Sequence, residues 1–273
     1  MDINKIKDCI TYSKGKKNKE NKRGQLTIFI IIAIMIIALL ILFFALGENL
    51  LPQSGVKQQI SENPNGYLNL NLEPIIQEVL ENISMQGGYN APNLSREIEG
   101  RRIAYLCYNQ NYYYSCINQE PVLIQHLKEE IKTAIEDDIQ KNFQDMREEL
   151  EKQNYDVELG TLNYDIELSP NRVIIDINRD MNLRKGESII SHEKFKIIVS
   201  SRFYDLAIVA QEIINQEARL CNFEQQGFAL FYPEFTITKF RTGDSDVIYT
   251  IKHKTTEEEF KFIVRGCVIP PAF

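Results

Sequence analysis

Residues that carry catalysis and metal binding are scarce in this sequence. There are three histidines in 273 residues, and His126, His192 and His253 have no second ligand at metal spacing; no His-x-x-x-His pair exists. There is no Cys-x-x-Cys pair, which argues against a redox motif or a zinc knuckle. Neither a Gly-x-Ser-x-Gly elbow nor a Gly-x-x-x-x-Gly-Lys loop occurs. Asp244-Ser245-Asp246 lacks the glycine and distal glutamate of a calcium loop and reads as a hairpin turn. These absences predict no enzymatic activity, no cofactor and no metal site. Excess positive charge is lacking too. The chain carries −7 overall, and residues 1–24 alone hold eight bases against three acids, so the remainder carries −12. An acidic body excludes nucleic acid as a partner, which needs a basic footprint.

Long apolar runs are also rare, with one exception. Leu26 to Leu46 is 21 residues without a charge. As a helix it would be ~31 Å long, close to the ~30 Å of a hydrocarbon core. With its basic flank on the N-terminal side, the run predicts a single-pass transmembrane helix, the N-terminus cytoplasmic and the C-terminal domain extracellular. The lipid bilayer is then a partner. The domain expectation follows: 1–24 a basic cytoplasmic leader, 25–46 the transmembrane helix, 47–71 a polar linker containing Pro52, Gly55, Pro64 and Gly66, and 72–273 an extracytoplasmic domain.

The cysteines suit an oxidising compartment. Cys107, Cys116, Cys221 and Cys267 form an even set in the exported part, while Cys9 lies in the leader. Of three connectivities, Cys107–Cys116 with Cys221–Cys267 is favoured. The first would close a short tyrosine-rich loop, and the second would tie the last strand to the end of a helix. Each would contribute roughly 2.5–4 kcal/mol by loop entropy. Tyr108, Tyr112, Tyr113 and Tyr114 fall inside that loop and are candidates for surface recognition, since tyrosine offers large area with few rotors. The competing reading has alternate tyrosines plugged into the core. Asn82-Ile83-Ser84 and Asn93-Leu94-Ser95 match the glycosylation acceptor pattern.

Periodicity sets the body. Ile75, Ile76, Val79, Leu80 and Ile83 give a helix from about Pro74, stopped by Gly87-Gly88. After Pro121 comes the longest helix, with Leu123, Leu127, Ile131, Ile135, Ile139, Phe143, Met146 and Leu150 in one stripe. That stripe either lies across a sheet or makes an oligomer contact. Beyond Asn154 the period changes to two, with strands over 155–159, 162–168, 173–177, 187–190 and 195–199. A helix over about 202–218 follows, then Phe228 to Tyr232 as a buried strand, and strands over 234–241, 247–252 and 260–264. The fold class expected is α+β: an N-terminal transmembrane helix followed by an extracytoplasmic domain with long helices packed on antiparallel sheet.

Lys22-Arg23-Gly24-Gln25-Leu26-Thr27-Ile28-Phe29-Ile30 resembles the class III signal peptide of archaeal type IV pilin-like proteins. The resemblance implies that a prepilin-type peptidase recognises Lys22, Arg23 and Gly24 and cuts between Gly24 and Gln25. It implies as partners that peptidase and copies of the chain itself or other pilin-like subunits, packed through the apolar helix into a filament. Phe29 stands where many type IV pilins carry glutamate, a departure that favours the alternative of an anchored binding or adhesion protein without filaments. The Gly-Gln-Leu-Thr-Ile-Phe start, with Gln86-Gly87-Gly88-Tyr89 after a helix, is similar to a group of uncharacterised archaeal membrane proteins, which brings no activity with it.

Overall fold

The computed structural model describes residues 30–38 and 60–270. The chain divides into two units, residues 1–55 and 56–273. Of the first, only a helical stretch over 30–38 is described. Among the described residues no helix is long and apolar enough to cross a membrane. This overturns the expected transmembrane helix and the single-pass placement built on it, with a cytoplasmic N-terminus and an extracellular C-terminal domain. Lys22, Arg23, Gly24 and Gln25, and the rest of the apolar run, lie outside the described residues.

The second unit starts with α1 (Pro64–Met85), ten residues earlier than Pro74 suggests. Asn63 caps it, its side chain accepting from the Gly66 amide at 2.9 Å, and Pro64 sits in the first turn, where a missing N–H is harmless. Asn-Pro-Asn-Gly is therefore a helix start and not a linker. Leu68, Leu72, Ile76, Leu80 and Ile83 of α1 are buried. Gly88, with φ +87°, follows its end and donates to the Ile83 carbonyl at 2.8 Å. A side chain at Gly88 would strike Leu127 at 2.8 Å, so this glycine serves both the turn and the packing.

The strands form two sheets. The larger has six: β1 (Ser95–Ile98), β2 (Arg101–Tyr108), β3 (Ile117–Asn118), β8 (Phe235–Arg241), β9 (Val247–His253) and β10 (Glu259–Arg265). Their order is β1-β2-β10-β9-β8, with β3 beside β2. The β2–β10 pair is parallel and the others antiparallel. The smaller holds β4 (Asp156–Leu159), β5 (Asn163–Ser169), β6 (Arg172–Lys185) and β7 (Ser188–Ser200). Here β6 pairs with β7 on one side and with β5 and β4 in succession on the other. The outer edge of β7 meets α1 through two asparagines: Lys196 donates to Asn65 Oδ1 at 2.7 Å, and Asn69 Nδ2 donates to the Lys196 carbonyl at 3.1 Å. Edge groups that would otherwise invite another strand are thereby used.

The remaining helices are α2 (Leu123–Lys152), α3 (Phe203–Leu220) and α4 (Gln225–Phe231). All eight stripe residues of α2 are 0% exposed within the single chain. That disposes of the oligomer-contact reading for this face. Phe143 meets Phe195 of β7 edge-to-face at 5.1 Å, and Arg179 lies 4.9 Å over its ring. Each such buried side chain contributes roughly 1.5–3 kcal/mol.

The fold class expected from sequence is corrected. Among the described residues the chain forms mixed helix and sheet with two sheets, one containing a parallel pair, and not a membrane-spanning helix followed by long helices packed on antiparallel sheet. The parallel β2–β10 pair joins segments some 160 residues apart, a pairing no local pattern reports. The expected buried strand Phe228–Tyr232 is also wrong. Its residues belong to α4 and its C-cap, where Leu230 is 82% and Phe231 80% exposed.

Candidate recognition surface

Both favoured cysteine pairs are present, with Cα separations of 5.3 Å for Cys107–Cys116 and 5.8 Å for Cys221–Cys267. They converge on one end of the six-stranded sheet. Cys107 lies near the end of β2, and the chain loops out over 109–116 and returns as β3, pairing Cys107 with Asn118 and Tyr108 with Ile117. Cys107–Cys116 closes the base of this excursion. The segment after β10 runs alongside it. Asn109 donates to the Arg265 carbonyl at 2.8 Å, Tyr113 donates to the Val268 carbonyl at 2.9 Å, and Cys267 donates to the Tyr114 carbonyl at 2.6 Å. A parallel bridge joins Tyr112 and Val268. Gly266 makes the close approach feasible, since a Cβ there would lie 2.7 Å from the Cys116 amide nitrogen. Cys221, the cap of α3, then fixes Cys267. The loop, the segment following the last strand and the end of a helix are thus stapled together.

Within the loop, Asn109 works as an internal brace. Its side chain donates to the Ser115 carbonyl at 2.8 Å and accepts from the Asn111 amide at 2.9 Å. Tyr113 holds φ +68°, a left-handed conformation that the surrounding bonds must maintain. Tyr108 is half-buried against Tyr105 at 5.2 Å and belongs to the sheet end. Tyr112, Tyr113 and Tyr114 are 48%, 70% and 65% exposed. The reading in which alternate tyrosines enter the core does not describe them. Ile117 and Ile269 flank the surface and are exposed as well. Asn82 and Asn93 are both exposed.

The surface has no charge of its own. Residues 103–119 and 266–273 contain no Asp, Glu, Lys or Arg, in a chain that is 25% charged. The nearest ionic cluster is self-satisfied. Asp246, 2% exposed, accepts from Arg96 at 2.7 Å, Tyr105 at 2.7 Å and Arg265 at 3.1 Å. Burial, and then the bond to Asp246, hold the Tyr105 phenol well above its ordinary pKa. Two arginines on Asp246 make Asp244-Ser245-Asp246 a braced hairpin turn, as its sequence suggests, with Ser245 donating to the Thr242 carbonyl. A second buried polar group joins Glu217 of α3, Lys239 at 3.1 Å and the Tyr249 hydroxyl. Burial, followed by the Glu217 carboxylate, raises the Tyr249 pKa.

A cavity of about 610 Å³ lies between the end of α1, the start of α3 and the β9–β10 hairpin, and Glu81, Glu257, Glu258 and Glu259 line it. Three of these carboxylates are engaged. Glu258 accepts from Ser201 and the Arg202 amide, and Lys252 pairs with Glu257 and Glu259. Among the described residues no group of three His, Cys, Asp or Glu could hold a metal ion. His126 contacts the Gly88 carbonyl at 3.0 Å and the Tyr89 ring at 4.3 Å, and His192 contacts the Ser61 carbonyl at 3.1 Å. His253 is buried beside Thr256 and Phe235. All three are built into the fold. Gln86-Gly87-Gly88-Tyr89 is likewise structural: Tyr89 donates to Glu120 at 2.5 Å, and Ala104 donates to the Gln86 carbonyl at 3.1 Å.

Compared with known proteins, the chain matches no family model, no curated protein and no solved structure.

Proposed function

We propose that this chain is a pilin-like assembly subunit whose folded domain displays the tyrosine surface to a partner. The observation that carries the display is the exposure of three consecutive aromatic side chains on a loop held at both ends. Exposed apolar area of this kind, kept rigid, is how recognition surfaces avoid losing ordering entropy on binding. Two disulfides in the domain fit work in an oxidising compartment. The pilin-like part rests on the Lys22-Arg23-Gly24-Gln25 leader pattern. It is supported by the helical stretch over 30–38, whose large side chains from Ile30 to Ile37 are between 48% and 63% exposed and call for apolar neighbours. Copies of the same helix supply them in this reading. Phe29 in place of the usual glutamate favours a second reading, in which the domain binds its partner without filament assembly.

The test is co-expression of the full chain with a prepilin-type peptidase, followed by intact mass and electron microscopy. Processing to a chain that starts at Gln25, abolished by Gly24→Val, together with filaments, is the expected result. A chain that keeps residues 1–24 beside an active peptidase overturns the pilin reading. Processing without filaments selects the second reading.

A further inference from the structure

We propose that Tyr112, Tyr113 and Tyr114, with Gln110 and Asn111, bind an uncharged polysaccharide. The inference rests on reading this loop as a recognition surface, and it does not depend on filament formation. Four features of the surface select the ligand.

Tyrosine rings present an electron-rich face with a polar rim. The faces of sugar rings are polarised C–H groups, and their edges are hydroxyls. An exposed ring therefore covers a sugar face while its hydroxyl stays hydrogen-bonded at the margin.

Gln110 and Asn111 are exposed beside the rings, and among the described residues their side chains form no hydrogen bond. An amide carries a donor and an acceptor together, which matches a sugar hydroxyl in either role.

Charge is missing where the chain is otherwise rich in it. No ionic residue occurs in 103–119 or 266–273, and Arg265 next to the surface is already held by Asp246 and the Asp244 carbonyl. A charged ligand would leave its own charge unmatched, because recognition of ions requires a complementary potential. A neutral one loses nothing. Arginine, which joins tyrosine and tryptophan at many protein-binding hot spots, is absent from the loop.

Finally, the loop is pre-ordered. Cys107–Cys116 closes its base, backbone bonds to Arg265, Val268 and Cys267 hold its flank, and Cys221–Cys267 fixes that flank to α3. A shallow surface that makes few contacts gains most from such rigidity. Its weak single-site affinity suits a repeated ligand met by several copies at once.

The experiment is native affinity electrophoresis of the full chain through gels containing dextran, mannan or galactan as neutral probes, with alginate as a charged one. The account expects retardation by at least one neutral polysaccharide, unchanged in about 0.5 M salt, where ionic attraction is screened over a few ångströms. Tyr113→Ser combined with Tyr114→Ser should weaken it about tenfold or more, with an unaltered circular dichroism spectrum and urea midpoint. Tyr113→Phe, which keeps the ring, should retain most of it. Retardation by none of the neutral probes, retardation by alginate alone with loss in salt, or neutral binding untouched by the double serine variant would each overturn the proposal. If the double variant instead abolishes self-association in sedimentation while no neutral probe binds, the ligand class is wrong and the recognition surface stands, with a protein occupying it.

Discussion

Two apolar patterns in this sequence meet opposite fates. The α2 stripe, one large residue every three or four positions, is wholly buried. The run Tyr112-Tyr113-Tyr114 is exposed. A helix gathers spaced residues on one face and offers that face to a core. Three adjacent residues of a loop point in different directions and cannot all enter one. Phe228 to Tyr232 repeats the lesson: five contiguous apolar residues leave Leu230 and Phe231 in solvent, while Phe228 stacks on Tyr232 at 4.4 Å. Spacing predicts burial better than apolar content does.

Substitution in the two regions breaks the comparison or sharpens it. The largest effect belongs to the stripe. Phe143→Ala empties a site packed by Phe195 and Arg179 and should lower stability by about 3–5 kcal/mol in urea unfolding. Next comes the staple under the tyrosines. Replacing Cys107 and Cys116 together by serine opens a loop with a sequence separation of 9 and should cost about 2.5 kcal/mol by the loop-entropy relation. The same change should make residues 109–116 cleavable by protease, since the loop loses its base. A loop that stays resistant would show that the backbone bonds to residues 265–268 suffice.

A smaller effect comes from alkali. Tyr164 donates to the Lys132 carbonyl at 2.6 Å, and burial, then the Glu136 and Asp137 carboxylates, push its pKa up to about 12. A phenol whose folded pKa is raised lends stability fully present below its unfolded value near 10, and that stability is lost as pH rises toward 12. Tyr89, Tyr105 and Tyr249 shift in the same direction, by burial first and by a carboxylate second. Urea midpoints should therefore be level up to about pH 9 and fall between pH 10 and 12. Late ionisation of a set of phenols should appear in the ultraviolet spectrum over the same interval. The smallest effect is expected at the surface: Tyr113→Ser should change stability by no more than about 0.5 kcal/mol.

The sequence reveals what is local. The α2 stripe, the α3 span, the strands of the smaller sheet, β8 to β10 of the larger one and the hairpin turn at Asp244–Asp246 follow from spacing and turn chemistry. The disulfide pairing follows from where each cysteine falls relative to those elements. Two other features were hidden for physical reasons. Asn63-Pro64-Asn65-Gly66 has turn composition, yet asparagine and proline are also a cap and a first-turn residue, and only the buried Leu68 and Leu72 decide between them. The parallel pairing of β2 with β10 depends on residues far apart in the chain. At the candidate surface, the tyrosines and their loop were visible from the start. Their support by residues 265–269 was not, because that contact is made by tertiary structure alone.

The most direct measurement takes one variant through two assays. Tyr112, Tyr113 and Tyr114 are replaced together by serine in the full chain, and the urea midpoint and neutral-polysaccharide retardation are recorded on the same preparation. The account predicts an unchanged midpoint with retardation lost. A collapsed midpoint with retardation kept in the surviving folded fraction would contradict it, and would place these tyrosines in service of the fold.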